Sequence, residues 1–334
     1  TTQRADGTWD LVTDKGTVHA EHIVNAAGLW AREVGAMAGV YFPLLPMEHQ
    51  YLVTEEVPQI ADMIDAGGEH PHVMDPAGES YLRQEGRGLC IGFDEQPCRP
   101  WAVNGTPWDF GHELLANDFD KIEDSIAFGY RRFPALEKAG VKSVIHGPFT
   151  FAPDGNPLVG PVPGMRNYWS ACAVMAGFSQ GGGVGLTLAQ WMVEGEPERD
   201  VFAMDCARFG AWITPGYTVP KVVENYQRRF SVSYPNEELP GARGLRRTPM
   251  SDHFSALGPV RGAPFGLQVP TSFSQNGEPE FETPSLRTSH ASYAAQRQVQ
   301  AVRRGLRTDQ VHNFSHFLVS GAHARAWLDR IMAG

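Results

Sequence analysis

Two stretches of this chain set small residues at the start of a helix, where a backbone can closely approach a flat or anionic ligand. The first is Ala176 to Trp191, AGFSQGGGVGLTLAQW. In it Gly181, Gly182, Gly183 and Gly185 precede the periodic apolar run Leu186, Leu188, Ala189, Trp191 and Met192. Read as a turn opening into a helix, they offer a ligand free N–H donors and the positive end of the helix dipole. A plain tight connection is the competing reading. The second stretch is Val24 to Glu33, VNAAGLWARE. After the turn Asp14-Lys15-Gly16, Thr17 to Val24 alternates as a strand; it ends in Asn25-Ala26-Ala27-Gly28, and Trp30 to Ala38 reads as a helix. Strand, small-residue turn and helix is how doubly wound α/β sheets hold ligands at the carboxyl ends of their strands. No GxGxxG lies between a strand and a helix, so the two stretches amount to half of a cofactor site.

Three further blocks accompany them in a fixed order: HQYLVTEEVP (His49 to Pro58), YLRQEGRGLCIG (Tyr81 to Gly92) and FAPDGNPLVGP (Phe151 to Pro161). Together the five resemble the D-amino-acid-oxidase-type flavoproteins, and within them the dimethylglycine/sarcosine dehydrogenase branch. Arg228 to Pro249, RRFSVSYPNEELPGARGLRRTP, resembles the linker domain of the longer, folate-coupled members. LRTSHASY and Ala301 to Ile331 resemble the start of a glycine-cleavage T-protein (aminomethyltransferase) domain. The resemblance covers essentially the whole chain. It implies an α/β fold with α+β parts: a partial FAD-binding, Rossmann-like domain of glutathione-reductase type, an inserted antiparallel-sheet substrate domain, a linker domain and the start of a folate domain. In that family a dinucleotide-binding βαβ unit precedes such a start. The expectation is therefore an internal piece of a longer polypeptide, holding FAD weakly or not at all by itself and inactive alone.

The chemistry implied is oxidation of an N-methyl amine on FAD, a hydride equivalent leaving the methyl carbon to give an iminium ion. Tetrahydrofolate, bound mostly outside this chain, then captures the one-carbon unit. The amine must present a neutral lone pair when it is oxidised, so a neighbour that titrates near neutrality helps. The resemblance singles out His49 as that catalytic residue, with Tyr81 as a second candidate that hydrogen-bonds the amine or carboxylate. Tyr51 and Arg83 are the candidate substrate-binding residues, Arg83 as a carboxylate clamp. Each has a plainer reading: a structural histidine, a core tyrosine, and an Arg83–Glu85 ion pair on one strand face. Cofactor contacts are expected from Ala27, Gly28, Trp30, Asp154, Gly177, Phe178, Ser179, Gln180, Gly181, Gly182 and Gly183. Here too Trp30 also reads as core, and Pro153-Asp154-Gly155 is a turn signal in its own right.

The elements that must position these residues divide the chain into five segments. Residues 1–45 and 149–196 are expected to form the FAD domain and residues 46–148 the substrate domain. Residues 197–272, punctuated by prolines, make the linker, and residues 273–334 begin the folate domain. Within the substrate domain, Gln50–Thr54, Ser80–Arg83 and Leu89–Gly92 read as strands, and Asp109–Asp124 and Ile126–Phe133 as helices.

Composition sets outer bounds. The 334 residues, 42% hydrophobic and 20% charged, can bury a real core, and length suggests about two domains. The net charge of −10 argues against nucleic acid or an anionic membrane as partner, and no apolar run is long enough for a membrane span. Cys90, Cys98, Cys172 and Cys206 lack metal or CxxC spacing and are expected as free buried thiols. No metal is expected: His70 and His72 flank Pro71 without a third ligand, and His312 and His316 read as turn and strand. Localisation is expected to be cytoplasmic, or the mitochondrial matrix in a eukaryote. Gly266 to Phe273 is less aromatic than the family pattern, which leaves dimethylglycine, sarcosine and other methylated amines open as substrates. The alternatives are an amine or amino-acid oxidase without folate coupling, an aminomethyltransferase alone, and a non-catalytic interaction module.

Overall fold

A computed structural model describes residues 1–93, 97–274, 283–289, 291–305 and 320–331. The chain divides into two compact units, residues 1–233 with 239–242, and residues 234–238 with 243–334.

In the first unit, β1 (Thr2–Gln3), β2 (Trp9–Thr13) and β3 (Gly16–Ala20) form an antiparallel sheet. The β2–β3 turn needs Gly16, whose φ of +128° a side chain would resist. The strand expected over 17–24 breaks at Glu21-His22, and β4 (Ile23–Asn25) joins a different sheet. A single 3₁₀ turn, Gly28–Trp30, then leads into α1 (Ala31–Ala36).

The long strand β5 (Leu45–Thr54) organises the middle of this unit. After it come α2 (Pro58–Asp65), β6 (Val73–Asp75), β7 (Ser80–Glu85), β8 (Gly88–Phe93), α3 (Glu123–Arg132) and β9 (Val141–Phe151). The five strands form one antiparallel sheet in the order β6-β7-β8-β5-β9. Side chains alternate between its faces. One face carries Leu52, Leu82, Leu89, Ile91 and Phe93 into a core closed by Ile60, Ile122 and Leu136. The other carries Leu45, Met47 and Phe151, packed on Val222 and Tyr226. No helix forms over Asp109–Ile122: this stretch hydrogen-bonds to the sheet instead, Leu115 N–H donating to the His146 carbonyl and Asp118 N–H to Gln50 Oε1. Its backbone groups are satisfied by tertiary partners, which overrides local helical propensity.

A third sheet pairs β10 (Leu158–Pro161) antiparallel and β4 parallel with the central β11 (Tyr168–Cys172). On it lies α4 (Gly177–Glu194), through Val184 and Leu188 against Val159, and it ends at Gly195 in the left-handed conformation. A final helix of this unit, α5 (Pro215–Gln227), starts with proline at its first position.

The second unit contains β12 (Arg246–Arg247), α6 (Ser251–Ser255), β13 (Pro259–Gly262), β14 (Leu267–Phe273), α7 (Ala291–Arg304) and α8 (Ala324–Ile331), with strand order β12-β14-β13. His312 and His316 lie outside the described residues.

Candidate active site

Strand register decides which side chains meet. In the ladder Tyr51 pairs with Gly92 and Gly92 with Tyr81, while His49 pairs with Gly147. With a period of two, His49, Tyr51, Tyr81 and Arg83 all project from one face. Tyr81 and His49 belong to β7 and β5, separated by β8, about 9–10 Å at ordinary strand spacing. The phenol bridges that gap because the residue beneath it is glycine: a Cβ on Gly92 would overlap the Tyr81 ring and hydroxyl. The outcome is a contact of 3.1 Å between His49 Nε2 and Tyr81 Oη. On the other side, Tyr226 Oη of α5 lies 2.8 Å from His49 Nδ1. Phe149 stands against the imidazole at 5.1 Å between ring centres, and Phe149, Phe151 and Tyr226 meet edge to face. The imidazole is thus held between two phenol hydroxyls beside an aromatic wall. Arg229, one turn beyond Tyr226, sits over the Phe151 ring and donates to Met175 Sδ at 3.0 Å.

The other two sheet residues fall differently. Arg83 lies at the exposed end of β7, paired with Glu85 and donating to the Gln84 carbonyl. This is the strand-face ion pair of the plainer reading, between side chains that both remain largely exposed. Tyr51 keeps its place on the site face, and burial raises the pKa of its hydroxyl, with Cys90 adding to the effect.

The cofactor-type residues cluster around β4 and α4. Asn25 is buried, its amide donating to the Ala31 carbonyl and its oxygen accepting from Ala27 N–H, which locks the turn before α1. Gly28 comes next with φ +55° and nothing near its Cα where a Cβ would project. The glycines of the first stretch are not a turn. Gly177, Phe178, Ser179, Gln180, Gly181, Gly182 and Gly183 already belong to α4, whose first turn has no side-chain cap. Glycine disfavours helix interiors by roughly 1 kcal/mol each relative to alanine. Here the helix persists because its later turns are anchored on β10 and β11. A Cβ at any of Gly177, Gly181, Gly182, Gly183 or Gly185 would meet open space, and Phe178 is fully exposed. Gln180 Oε1 is buried and has no hydrogen-bond partner. Open space over small residues at an uncapped helix start, with an orphaned acceptor beside it, fits a large planar group that brings its own donors and anionic oxygens.

Two expected cofactor contacts have other partners in this geometry. Trp30 donates its indole N–H to the Pro107 carbonyl, fastening the 102–107 loop over α1 together with Arg32 and Glu33. Asp154 receives two hydrogen bonds from Arg208, at 2.7 and 2.8 Å. Arg208 also donates to the carbonyls of Asn156, Pro157 and Asp205 and lies over the Phe209 ring. This side chain rivets the Asp154–Pro157 turn, and no feature of the linear sequence marks it. The four cysteines are free and buried.

The family comparison fits this arrangement. The description "FAD dependent oxidoreductase" matches residues 1–191, and "FAD dependent oxidoreductase central domain" matches residues 194–248. The chain belongs to the FAD-dependent oxidoreductase family. Mitochondrial dimethylglycine dehydrogenase of Mus musculus is 36% identical over 99% of this chain and 38% of its own length. Mitochondrial sarcosine dehydrogenase of Mus musculus is 35% identical over 78% of this chain and 28% of its own length. The mitochondrial pyruvate dehydrogenase phosphatase regulatory subunit of the same species is 31% identical over 78% of this chain and 30% of its own length. The chain spans well under half the length of these relatives. In this flavoprotein frame His49 and Tyr81 lie within residues 1–191, whereas Tyr226 and Arg208 come from the segment matched by the central-domain description. No helix among the described residues is long and apolar enough to cross a membrane, and no group of three metal-ligating side chains occurs among them.

Proposed function

We propose that the protein carrying this chain oxidises an N-methylated glycine, dimethylglycine or sarcosine, as an FAD-dependent dehydrogenase acting on CH–NH bonds. The observation that carries the reading is His49 clasped between the Tyr81 and Tyr226 hydroxyls on an aromatic face, in a member of a flavoprotein family. Bound FAD would supply the two-electron acceptor for the hydride leaving the N-methyl carbon. Ala27, Gly28 and residues 177–183 would hold it, through close backbone approach and the helix start. Tyr81 meets the substrate nitrogen by hydrogen bonding, and His49 sets which way the Tyr81 proton points. Tyr51 lines the same face, and Phe149 with Phe151 keeps water away from the reacting carbon. Asp154 and Trp30 act at one remove, through the loops they fasten.

The domain division proposed is FAD domain 1–45 and 149–196, substrate domain 46–148, linker 197–272 and the start of a T-protein-like folate domain from 273. The five-stranded sheet over 45–151 supports the second of these. Transfer of the one-carbon unit to tetrahydrofolate belongs to that last domain and to sequence like it. The names of the mitochondrial relatives favour the mitochondrial matrix as location.

The test is an anaerobic absorbance spectrum of the flavin-loaded protein before and after dimethylglycine or sarcosine. Bleaching of the flavin band supports the reading, and an unchanged band with both amines rejects the substrate class. Similarity to a phosphatase regulatory subunit favours a second reading, a flavin-family interaction subunit without turnover. A protein that takes up no flavin would point there.

A further inference from the structure

A cavity of about 690 Å³ opens in the first unit between α1, residues 39–45, the 103–105 turn and the start of α5. No residue assigned to flavin or substrate lines it. Its volume is that of a small-molecule site, roughly 300–1,000 Å³. Ala36, Leu44 and Val219 give it apolar walls, and Tyr41 Oη meets Thr218 Oγ1 at 2.9 Å along one side. Arg32 and Glu33 of α1 form its charged end, each side chain only 14% exposed. The guanidinium donates through its two Nη groups to the Ala102 and Val103 carbonyls, and Glu33 Oε1 accepts from the Thr106 N–H. Arg32 Nη2 and Glu33 Oε1 are 3.6 Å apart, too far for a hydrogen bond. One donor and one acceptor are left over: Arg32 Nε–H and Glu33 Oε2 are buried and have no hydrogen-bond partner. Buried polar atoms are matched in folded proteins, and leaving one unmatched costs most when the group is charged.

We propose that this cavity is a binding site for a neutral carboxamide carried on an apolar ring. A primary carboxamide sets an N–H donor beside a carbonyl acceptor, the complement of Glu33 Oε2 and Arg32 Nε–H, and its ring covers the apolar wall. A carboxylate offers Arg32 an acceptor but places a second negative charge against Glu33. An ammonium offers Glu33 a donor but repels Arg32. A small zwitterion meets both charges and leaves the apolar wall uncovered. The 102–106 loop lies against both heads, so it is the wall that gives way as the ligand reaches them. Ala102 in that loop holds φ at +48°, the left-handed region that L side chains avoid. A shift of the turn relieves this strain while the ligand takes up the two unmatched atoms. The site stands apart from the proposed oxidation and does not depend on it.

The experiment is calorimetric titration of the intact, flavin-loaded protein with benzamide, and with benzoate and benzylamine as its charged counterparts. Benzamide is expected to bind saturably at one site, about tenfold or more tighter than either ion. Glu33→Gln keeps an acceptor for the Thr106 N–H and turns the unmatched acceptor into a donor. It is expected to weaken benzamide about tenfold and to strengthen benzoate, an exchange of preference that loss of folding cannot produce. Ala36→Phe fills the cavity from an exposed position on α1 without removing any hydrogen bond. It is expected to abolish benzamide binding with the thermal melt and flavin spectrum unchanged. Where Glu33→Gln fails to fold, Ala36→Phe alone decides. Absence of saturable benzamide binding, equal affinity for the three probes, or binding retained in folded Ala36→Phe overturns the proposal. Benzamide binding lost in Ala36→Phe, in a protein whose flavin no N-methyl amine bleaches, upholds the site and rejects the proposed function instead.

Discussion

Gly92→Ala tests whether the reach of Tyr81 across β8 matters, because it moves the phenol without changing any chemical group in the site. The glycine lies directly between Tyr51 and Tyr81 in the ladder, and a methyl group there would penetrate the Tyr81 ring at Cζ and Oη. The backbone at 92 is ordinary extended strand, so strain in φ plays no part. Tyr81 is the mobile partner, and its ring must withdraw by roughly 1 Å or more to restore normal contact, since interiors have no slack for such an overlap. The contact of 3.1 Å to His49 Nε2 then lengthens beyond hydrogen-bonding range. Overpacking of this kind costs about 1–3 kcal/mol of stability, while displacing a reacting group by about 1 Å costs on the order of 10²-fold in rate. The expected outcome is a protein that melts a few degrees lower and whose flavin is reduced by dimethylglycine about a hundredfold more slowly under anaerobic stopped flow. Tyr81→Phe in the Gly92→Ala background should then cost little more, because the hydroxyl is already out of place. Flavin reduction at the wild-type rate in folded Gly92→Ala would refute the role assigned to Tyr81.

Arg208→Ala removes a side chain 7% exposed that holds Asp154 and three carbonyls, whereas Asp154, 37% exposed, regains water when freed. The net loss is about 3 kcal/mol, or roughly 6–12 °C in melting temperature; a shift under about 2 °C by calorimetry would mean that the turn holds without its rivet. Arg83→Ala breaks a pair exposed by 42% and 45%, so stability changes by less than about 1 kcal/mol and the half-saturating substrate concentration stays within about twofold. A tenfold rise in that concentration would restore the carboxylate clamp. Burial pushes the Cys172 thiol up to about 11 and the Cys206 thiol up to about 12, Asp205 adding to the latter. Because the folded values are raised, the stability gained by keeping these thiols protonated is full below the unfolded value of about 8.5 and is lost as pH climbs through 11 to 12. Alkylation followed by mass spectrometry at pH 8 should leave both unmodified until urea unfolds the protein, and rapid native labelling would contradict their burial.

What the sequence discloses about this site depends on whether the relevant contact is local. The alternation in His49–Tyr51 and Tyr81–Arg83 is a strand signature, so both strands and the face shared by those residues are readable. That His49 meets Tyr81 rather than a nearer neighbour is set by strand order and by Gly92, a residue with no chemistry of its own. Tyr226 is beyond reach of such reading because it arrives from 177 residues away on a helix. Its only sequence mark is its helical spacing from Val222 and Val223, which core tyrosines also show. The glycines of α4 mislead in the opposite direction. Local propensity makes them a turn, and only packing of Val184 and Leu188 on the sheet keeps them helical. The absence of the helix expected over Asp109–Ile122 has the same cause, backbone donors claimed by strand partners.

The residues between the site residues explain how the face is held. On β5, Glu48 and Gln50 point away from the site, into the opposite side of the sheet. There Glu48 accepts from Lys121 at 2.9 Å, and Gln50 exchanges hydrogen bonds with the backbone of Asp118. A slip of β5 by one residue would bring these buried polar groups to the aromatic face and carry His49 behind the sheet. Each would then be stranded from its partner, at a cost of about 1–3 kcal/mol per lost buried hydrogen bond and more for the charged pair. The ten paired positions between β5 and β9 set the register, and the polar pins behind β5 penalise any other. The 109–122 stretch, which carries no site residue, is therefore part of what keeps the imidazole between its two hydroxyls.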